Sequence, residues 1–129
     1  MIEPSVAHDA LARQIVDSSF AVHSTLGPGL LESVYQQCLV CELRFRKINI
    51  RQQVALPIQY RDIVVDAGLR LDLVVDDRVI IEIKAVEKLL PVHEAQLLTH
   101  LKLARKDLGI LINFNVPLIK DGIRRMVRS

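Results

Sequence analysis

Tryptophan is missing from this 129-residue chain, and aromatic residues make up only 4% of it, so an interior has to be assembled from aliphatic side chains. They are available, since half the residues are hydrophobic. Long apolar runs are missing too: none reaches the ~18 residues that a membrane-spanning helix requires. The start is polar and acidic at Glu3 and Asp9, without the charged-then-apolar order of a secretory leader. A soluble, cytoplasmic protein is expected. Cysteine is scarce. Cys38 and Cys41 form a lone C-x-x-C. A structural zinc site needs four ligands, and a redox pair is expected just after a strand, whereas this pair falls late in a predicted helix. Buried, reduced thiols are the expectation. Charge of one sign is lacking as well: 17 Lys and Arg stand against 15 Asp and Glu, a formal +2. That balance does not by itself point to nucleic acid. Two local clusters, Lys102/Arg105/Lys106 and Lys120/Arg124/Arg125/Arg128, read either as solvated faces or as phosphate contacts. No glycine-rich cofactor loop is visible, so no organic cofactor is expected.

What remains is the pattern of a single domain over residues 1–129, long enough for one hydrophobic core. Leu11, Ile15, Val22 and Leu26 recur at helical spacing, and Gly27-Pro28-Gly29 stops that helix. Leu31, Val34, Tyr35, Cys38 and Leu39 mark a second helix, to about Lys47. Val54, Leu56, Ile58 and Tyr60 alternate like a strand, with Pro57 marking an edge or bulge. A turn at Arg61-Asp62 leads to Ile63-Val64-Val65, and strands follow at Leu69–Val75 and Val79–Ala85. After Pro91 a helix is predicted with Ala95, Leu97, Leu98 and Leu101 on its apolar side, then a buried strand at Leu108–Asn113. The tail from Leu118 is basic and weakly patterned. There is no repeat and no linker. The order implies an α/β fold, a mixed sheet flanked by α-helices.

Chemistry concentrates in the central hairpin. Along a strand, side chains alternate faces. Leu69, Leu71, Leu73 and Val75 are expected on one face, with Arg70, Asp72 and Val74 on the other. Val79, Ile81, Ile83 and Ala85 likewise oppose Ile80, Glu82 and Lys84. A three-residue loop at 76–78 matches all the faces and sets Leu73 opposite Ile81, Leu71 opposite Ile83 and Asp72 opposite Glu82. A two-residue loop would mismatch them. Carboxylates paired in this way, with Cβ atoms about 4.5–5.5 Å apart, repel one another. A hard divalent cation would offset the repulsion, Mg²⁺ or Mn²⁺, held by Asp72, Glu82 and the main-chain carbonyl of Ile83. Lys84 shares the face and is suited to orienting or deprotonating an attacking water, or to steadying charge on a phosphate. The plainer alternative is an exposed face on which Asp72 pairs with Lys84 or Arg70.

An Asp on one strand and Glu-x-Lys on the next resembles the PD-(D/E)XK nuclease superfamily. The stretch Leu26-Gly27-Pro28-Gly29-Leu30-Leu31-Glu32-Ser33-Val34-Tyr35 is similar to the signature of its GxxExxY family, with Gly29, Glu32 and Tyr35 at the named positions. Gln53, Glu82-Ile83-Lys84-Ala85-Val86-Glu87, Gln96 and Leu111-Ile112-Asn113-Phe114 extend the likeness from about Ile15 to Arg125. The resemblance implies a PD-(D/E)XK nuclease-like fold and places Glu32 near the metal as a further acidic residue. Without it, Glu32 is a Glu in the first turn of a helix, favoured there by the helix dipole. The resemblance also makes Gln96 the start of a Q-x-x-x-Y motif. Here that motif ends in His100 instead of Tyr, and Leu69 stands where relatives often carry Tyr. His93, Gln96 and His100 fall in one line on the helix, facing either solvent or the site.

Two functions from different classes follow. In the first, the protein is a metal-dependent phosphodiesterase cutting DNA more readily than RNA, with Asp72, Glu82, Lys84, Glu32 and Gln96 as its catalytic set. In the second it is a non-catalytic module on the same fold that binds nucleic acid or a protein partner. A homodimer is expected by analogy, because a domain this small would engage a duplex through two copies.

Overall fold

The computed structural model describes residues 4–128; Glu3 lies outside them. Helix α1 (Val6–Leu26) begins where the Ser5 hydroxyl accepts the His8 amide and ends at Gly27, whose φ of 69° suits glycine. Helix α2 (Glu32–Phe45) follows the corner and buries Tyr35, Leu39, Val40 and Leu43. Seven strands come next in the chain, interrupted by one helix: β1 (Ile50–Ala55), β2 (Ile58–Tyr60), β3 (Ile63–Val65), β4 (Arg70–Val75), β5 (Val79–Lys84), α3 (Pro91–Ala104), β6 (Leu108–Asn113) and β7 (Ile123–Val127). Five strands form one sheet in the order β1-β4-β5-β6-β7, with β5 and β6 parallel and the remaining pairs antiparallel. This is the mixed sheet that the element order implied.

Helices cover both faces. Ala12, Ile15 and Val22 of α1 and the buried stripe of α2 pack on Leu73, Val75, Val79, Ile81, Ile83, Ile110 and Ile112. On the other face, Leu97 and Leu101 of α3 pack with Leu71, Val74, Ile80 and Leu111. At Gly109 a Cβ would meet Leu97 Cδ1 at 2.9 Å, so the absence of a side chain there lets α3 settle directly on β6. No helix among the described residues is long and apolar enough to cross a membrane.

Several expectations need correction. The run read as one strand around Pro57 is two: β1 starts earlier, at Ile50, and the chain leaves the sheet at Leu56-Pro57 to form the separate β2–β3 hairpin. Proline supplies no ladder donor, which accounts for the break. The early start was hidden because Arg51, Gln52 and Gln53 are exposed on an edge strand. The basic tail forms a 3₁₀ turn (Ile119–Gly122) and edge strand β7. Its charges suit an edge, and most are paired within the chain: Arg124 with Glu94, Arg125 with Asp9, Arg128 with Asp107. Lys106 of the other cluster binds Asp77. The C-terminal cluster thus has internal partners for three of its four charges, whereas in the other cluster only Lys106 has one among the described residues. Cys38 and Cys41 are free, as expected, but neither is buried: Cys38 is half-buried and Cys41 exposed, because both fall beside the Leu39/Val40/Leu43 stripe. Ala95 is exposed and is not part of the buried side of α3.

The hairpin register is the one that the hydrophobic pattern selects, with Val75 opposite Val79 and Leu73 opposite Ile81. Asp76 and Asp77 take left-handed φ values of 50° and 53°, and the Arg78 amide closes the turn on the Val75 carbonyl. The pairing does not continue to Asp72. Leu71 lies with α3, while Ile83 lies with α1 and α2, so these two do not face each other. The strict alternation fails at one residue, and that residue is Asp72.

Candidate active site

Strand β5 runs between two neighbours and is buried along almost its whole length, so a charge on it is unusual. Ile81 and Ile83 face α1 and α2, which leaves Glu82 on the α3 side together with Ile80. Glu82 is only 7% exposed. Lys84, at the strand end, is half-buried. On β4, a carboxylate oxygen of Asp72 accepts the Ile83 amide at 2.8 Å, standing in for the carbonyl of a regular ladder. The β1–β4 pairing also passes over this point. Gln53 and Asp72 are skipped between Gln52–Leu73 and Val54–Leu71, and Gln53 takes φ 47°. Irregular backbone of this kind re-aims side chains and clusters at functional sites. Asp72 and Glu82 are thus neighbours, joined through a kink and not as the regular opposed pair expected.

Electrostatics bind four residues into one site. Burial raises the Asp72 carboxyl above its ordinary value; the Ile83 amide pulls it back, the Glu82 charge pushes it up, and Gln53 and Lys84 lower it. Glu32, in the first turn of α2, is also raised, first by burial and then by Asp72, with Lys84 acting against them and Glu82 with them. Glu32, Asp72, Glu82 and Lys84 therefore lie within reach of one another's fields, although they come from three elements.

Helix α3 adds a residue. His100 Nδ1 lies 2.6 Å from Glu82 Oε1, and with a carboxylate as acceptor the ring N–H donates. The sequence placed His100 in a line with His93 and Gln96 and left its direction open; its contact is Glu82. His100 follows Leu97 by three and precedes Leu101 by one, and both leucines are buried. That spacing was the available signal. His93 instead turns to the helix start, where its Nδ1 accepts the Leu90 amide at 2.9 Å. Gln96 is exposed, and among the described residues its side chain holds no hydrogen bond, so it is not joined to the acidic group.

The rest of the signature holds the walls. The Tyr35 hydroxyl donates to the Gly27 carbonyl at 2.6 Å and accepts the Leu30 amide at 3.1 Å, while its ring stacks on Phe114 at 4.7 Å. The Gly29 amide donates to Asn115 Oδ1. Asn113, 1% exposed, grips Val86 twice: its Oδ1 accepts the Val86 amide and its Nδ2 donates to the Val86 carbonyl. The loops after β5 and β6 and the corner before Glu32 are thereby fastened together at the carboxyl ends of the parallel strands, where open α/β sheets characteristically place their sites.

A family model of the PD-(D/E)XK nuclease superfamily matches residues 9–126. The chain belongs to the PD-(D/E)XK nuclease superfamily. No curated protein and no solved structure matches it significantly. Its fold is that of the superfamily, an α/β mixed sheet with three helices. PD-(D/E)XK nucleases act on nucleic acid and generally use divalent metal ions. The donors here suit such an ion. They are carboxylate oxygens, and burial, with the neighbouring carboxylates adding to it, raises the proton affinity of Asp72 and Glu32. One oxygen of Asp72 is engaged by the Ile83 amide and one of Glu82 by His100. No group of three His, Cys, Asp or Glu among the described residues would hold a metal alone. Mg²⁺ does not require one, since it takes one or two carboxylates and completes its shell with waters and phosphate oxygens.

Proposed function

We propose that this protein is a divalent-metal-dependent nuclease hydrolysing phosphodiester bonds, using Mg²⁺ or Mn²⁺ and cutting DNA ahead of RNA. The observation that supports this is the gathering of Asp72, Glu82 and Lys84 beside Glu32 on a nuclease-superfamily sheet. A bound ion would polarise the phosphate and acidify a water. Asp72 and Glu82 would hold the ion, and the Ile83 carbonyl is the further ligand proposed. Lys84, as a cation at the end of β5, would hold the attacking water or steady the charge that grows on the phosphate oxygens. Glu32 would add a further carboxylate beside them, and Gln96, from its exposed position on α3, would touch the nucleic acid. The Gly29/Glu32/Tyr35 spacing supports the narrower placement in the GxxExxY group. A homodimer is the assembly proposed for engaging both strands of a duplex.

A second reading is a non-catalytic binding module. One feature favours it: Tyr60, Ile63, Val64 and Val65 of the β2–β3 hairpin are exposed apolar residues outside the main sheet. Cleavage of labelled single- and double-stranded DNA and RNA with Mg²⁺ or Mn²⁺ separates the two. Wild type should cut only with metal, and Lys84→Ala and Glu82→Ala should each lower the rate by at least about 100-fold. If none of the three cuts any polymer, the nuclease reading fails and the module takes its place.

A further inference from the structure

We propose that His100 is the positioning residue for Glu82, so that the metal affinity of this protein is set from helix α3; this rests on the nuclease reading of the site. Glu82 is a long side chain on the α3 face of β5, and its one hydrogen bond among the described residues is to His100. The two side chains are 10% and 15% exposed, so water does little to hold the carboxylate in their place. The contact uses Nδ1, the ring nitrogen nearer the backbone, so the reach from the helix is short. Only a helix lying tight against the sheet allows it. Leu97 resting over Gly109 sets that distance, and Leu97 and Leu101, packed with Ile80 and Leu111, lock the rotation. His100 and Glu82 sit inside that frame, and the imidazole N–H turns one carboxylate oxygen toward the helix and fixes where the other points. A tyrosine in this place would carry its hydroxyl at the far end of its ring and could not make the same short contact. His100 is thus a different solution and not a substitute for that hydroxyl.

The geometry dictates which replacements work. Asparagine places an N–H₂ at about the position of Nδ1, glutamine places it about one bond farther out, and leucine keeps bulk without a donor. Mn²⁺ alone is titrated calorimetrically into wild type and the variants His100→Asn, His100→Gln and His100→Leu, with thermal unfolding of each metal-free protein as a fold control. Leucine should weaken Mn²⁺ binding by roughly 10–100-fold, as loss of a carboxylate's supporting partner does, and asparagine should retain most of the affinity. Glutamine should fall toward leucine. Equal Mn²⁺ affinity for leucine and wild type overturns the proposal and leaves the nuclease reading standing. Glutamine binding as well as asparagine also overturns it, a comparison that decides the matter even if the leucine variant unfolds. No Mn²⁺ uptake by folded wild type overturns the nuclease reading itself, and the positioning role with it.

Discussion

Tyr35 and Glu32 stand three residues apart in one short signature, yet their surroundings give them different work. Tyr35 is fully buried, stacked on Phe114 and bonded at its hydroxyl to the corner before α2. Glu32 faces the acidic group. Tyr35→Phe keeps the ring stack and removes one donor and one acceptor, leaving the Gly27 carbonyl and the Leu30 amide short of a partner. The expected loss is about 1–3 kcal/mol in urea unfolding with an unchanged denaturant slope. An unchanged midpoint would mean that water replaces the hydroxyl and that the corner is not held by Tyr35. Both residues could be picked out from the sequence because a motif is read by its spacing. Their separate roles were not, since spacing carries no information about which side chain is buried.

At the scale of elements, α3 is the part on which the site most depends. Its buried contacts run through Leu97 and Leu101, and the sheet yields room for it at Gly109. Gly109→Val puts branched carbon where Leu97 now lies and forces helix and strand apart. Overpacking of this kind costs about 1–3 kcal/mol. The expected signature is a lowered thermal midpoint with the helical and sheet signals retained, together with faster solvent exchange of the His100 ring N–H than in wild type, read by NMR. A variant as stable as wild type would show that α3 is not held at that distance. The helix itself and the buried strand β6 were legible from periodicity and from an apolar run. β7 and the early start of β1 were not, because edge strands carry exposed Arg and Gln and leave almost no hydrophobic pattern to read.

For the molecule as a whole, the site is a source of instability when it holds no ion. Asp72 and Glu32 bind their protons more tightly folded than unfolded, because burial and the neighbouring carboxylates oppose their charge. A carboxyl shifted in this direction favours the native state while protonated. Stability therefore falls as pH rises from the ordinary values, 3.8 for Asp72 and 4.5 for Glu32, through the raised native ones. Asp72→Asn should flatten that fall and make the metal-free protein no less stable than wild type at neutral pH. Saturating Mn²⁺ should do the reverse, stabilising wild type by about 2.7 kcal/mol at a hundred times its Kd and Asp72→Asn far less. Calorimetric melting across pH, with and without Mn²⁺, measures both. A wild-type midpoint indifferent to pH and to metal would remove the electrostatic account of the site.

By itself the sequence determined the fold class and the register of the central hairpin next to its turn. Each follows from local hydrophobic period, and a one-residue slip would turn every apolar side chain of the hairpin to the wrong face. It also brought Asp72, Glu82 and Lys84 to neighbouring strands. Tertiary structure decided the rest. The kink that lets Asp72 capture the Ile83 amide, the arrival of Glu32 from α2, and the bond from His100 to Glu82 all depend on how elements distant in sequence pack. Periodicity reports which face of an element is buried, but not which residue of another element lies against it.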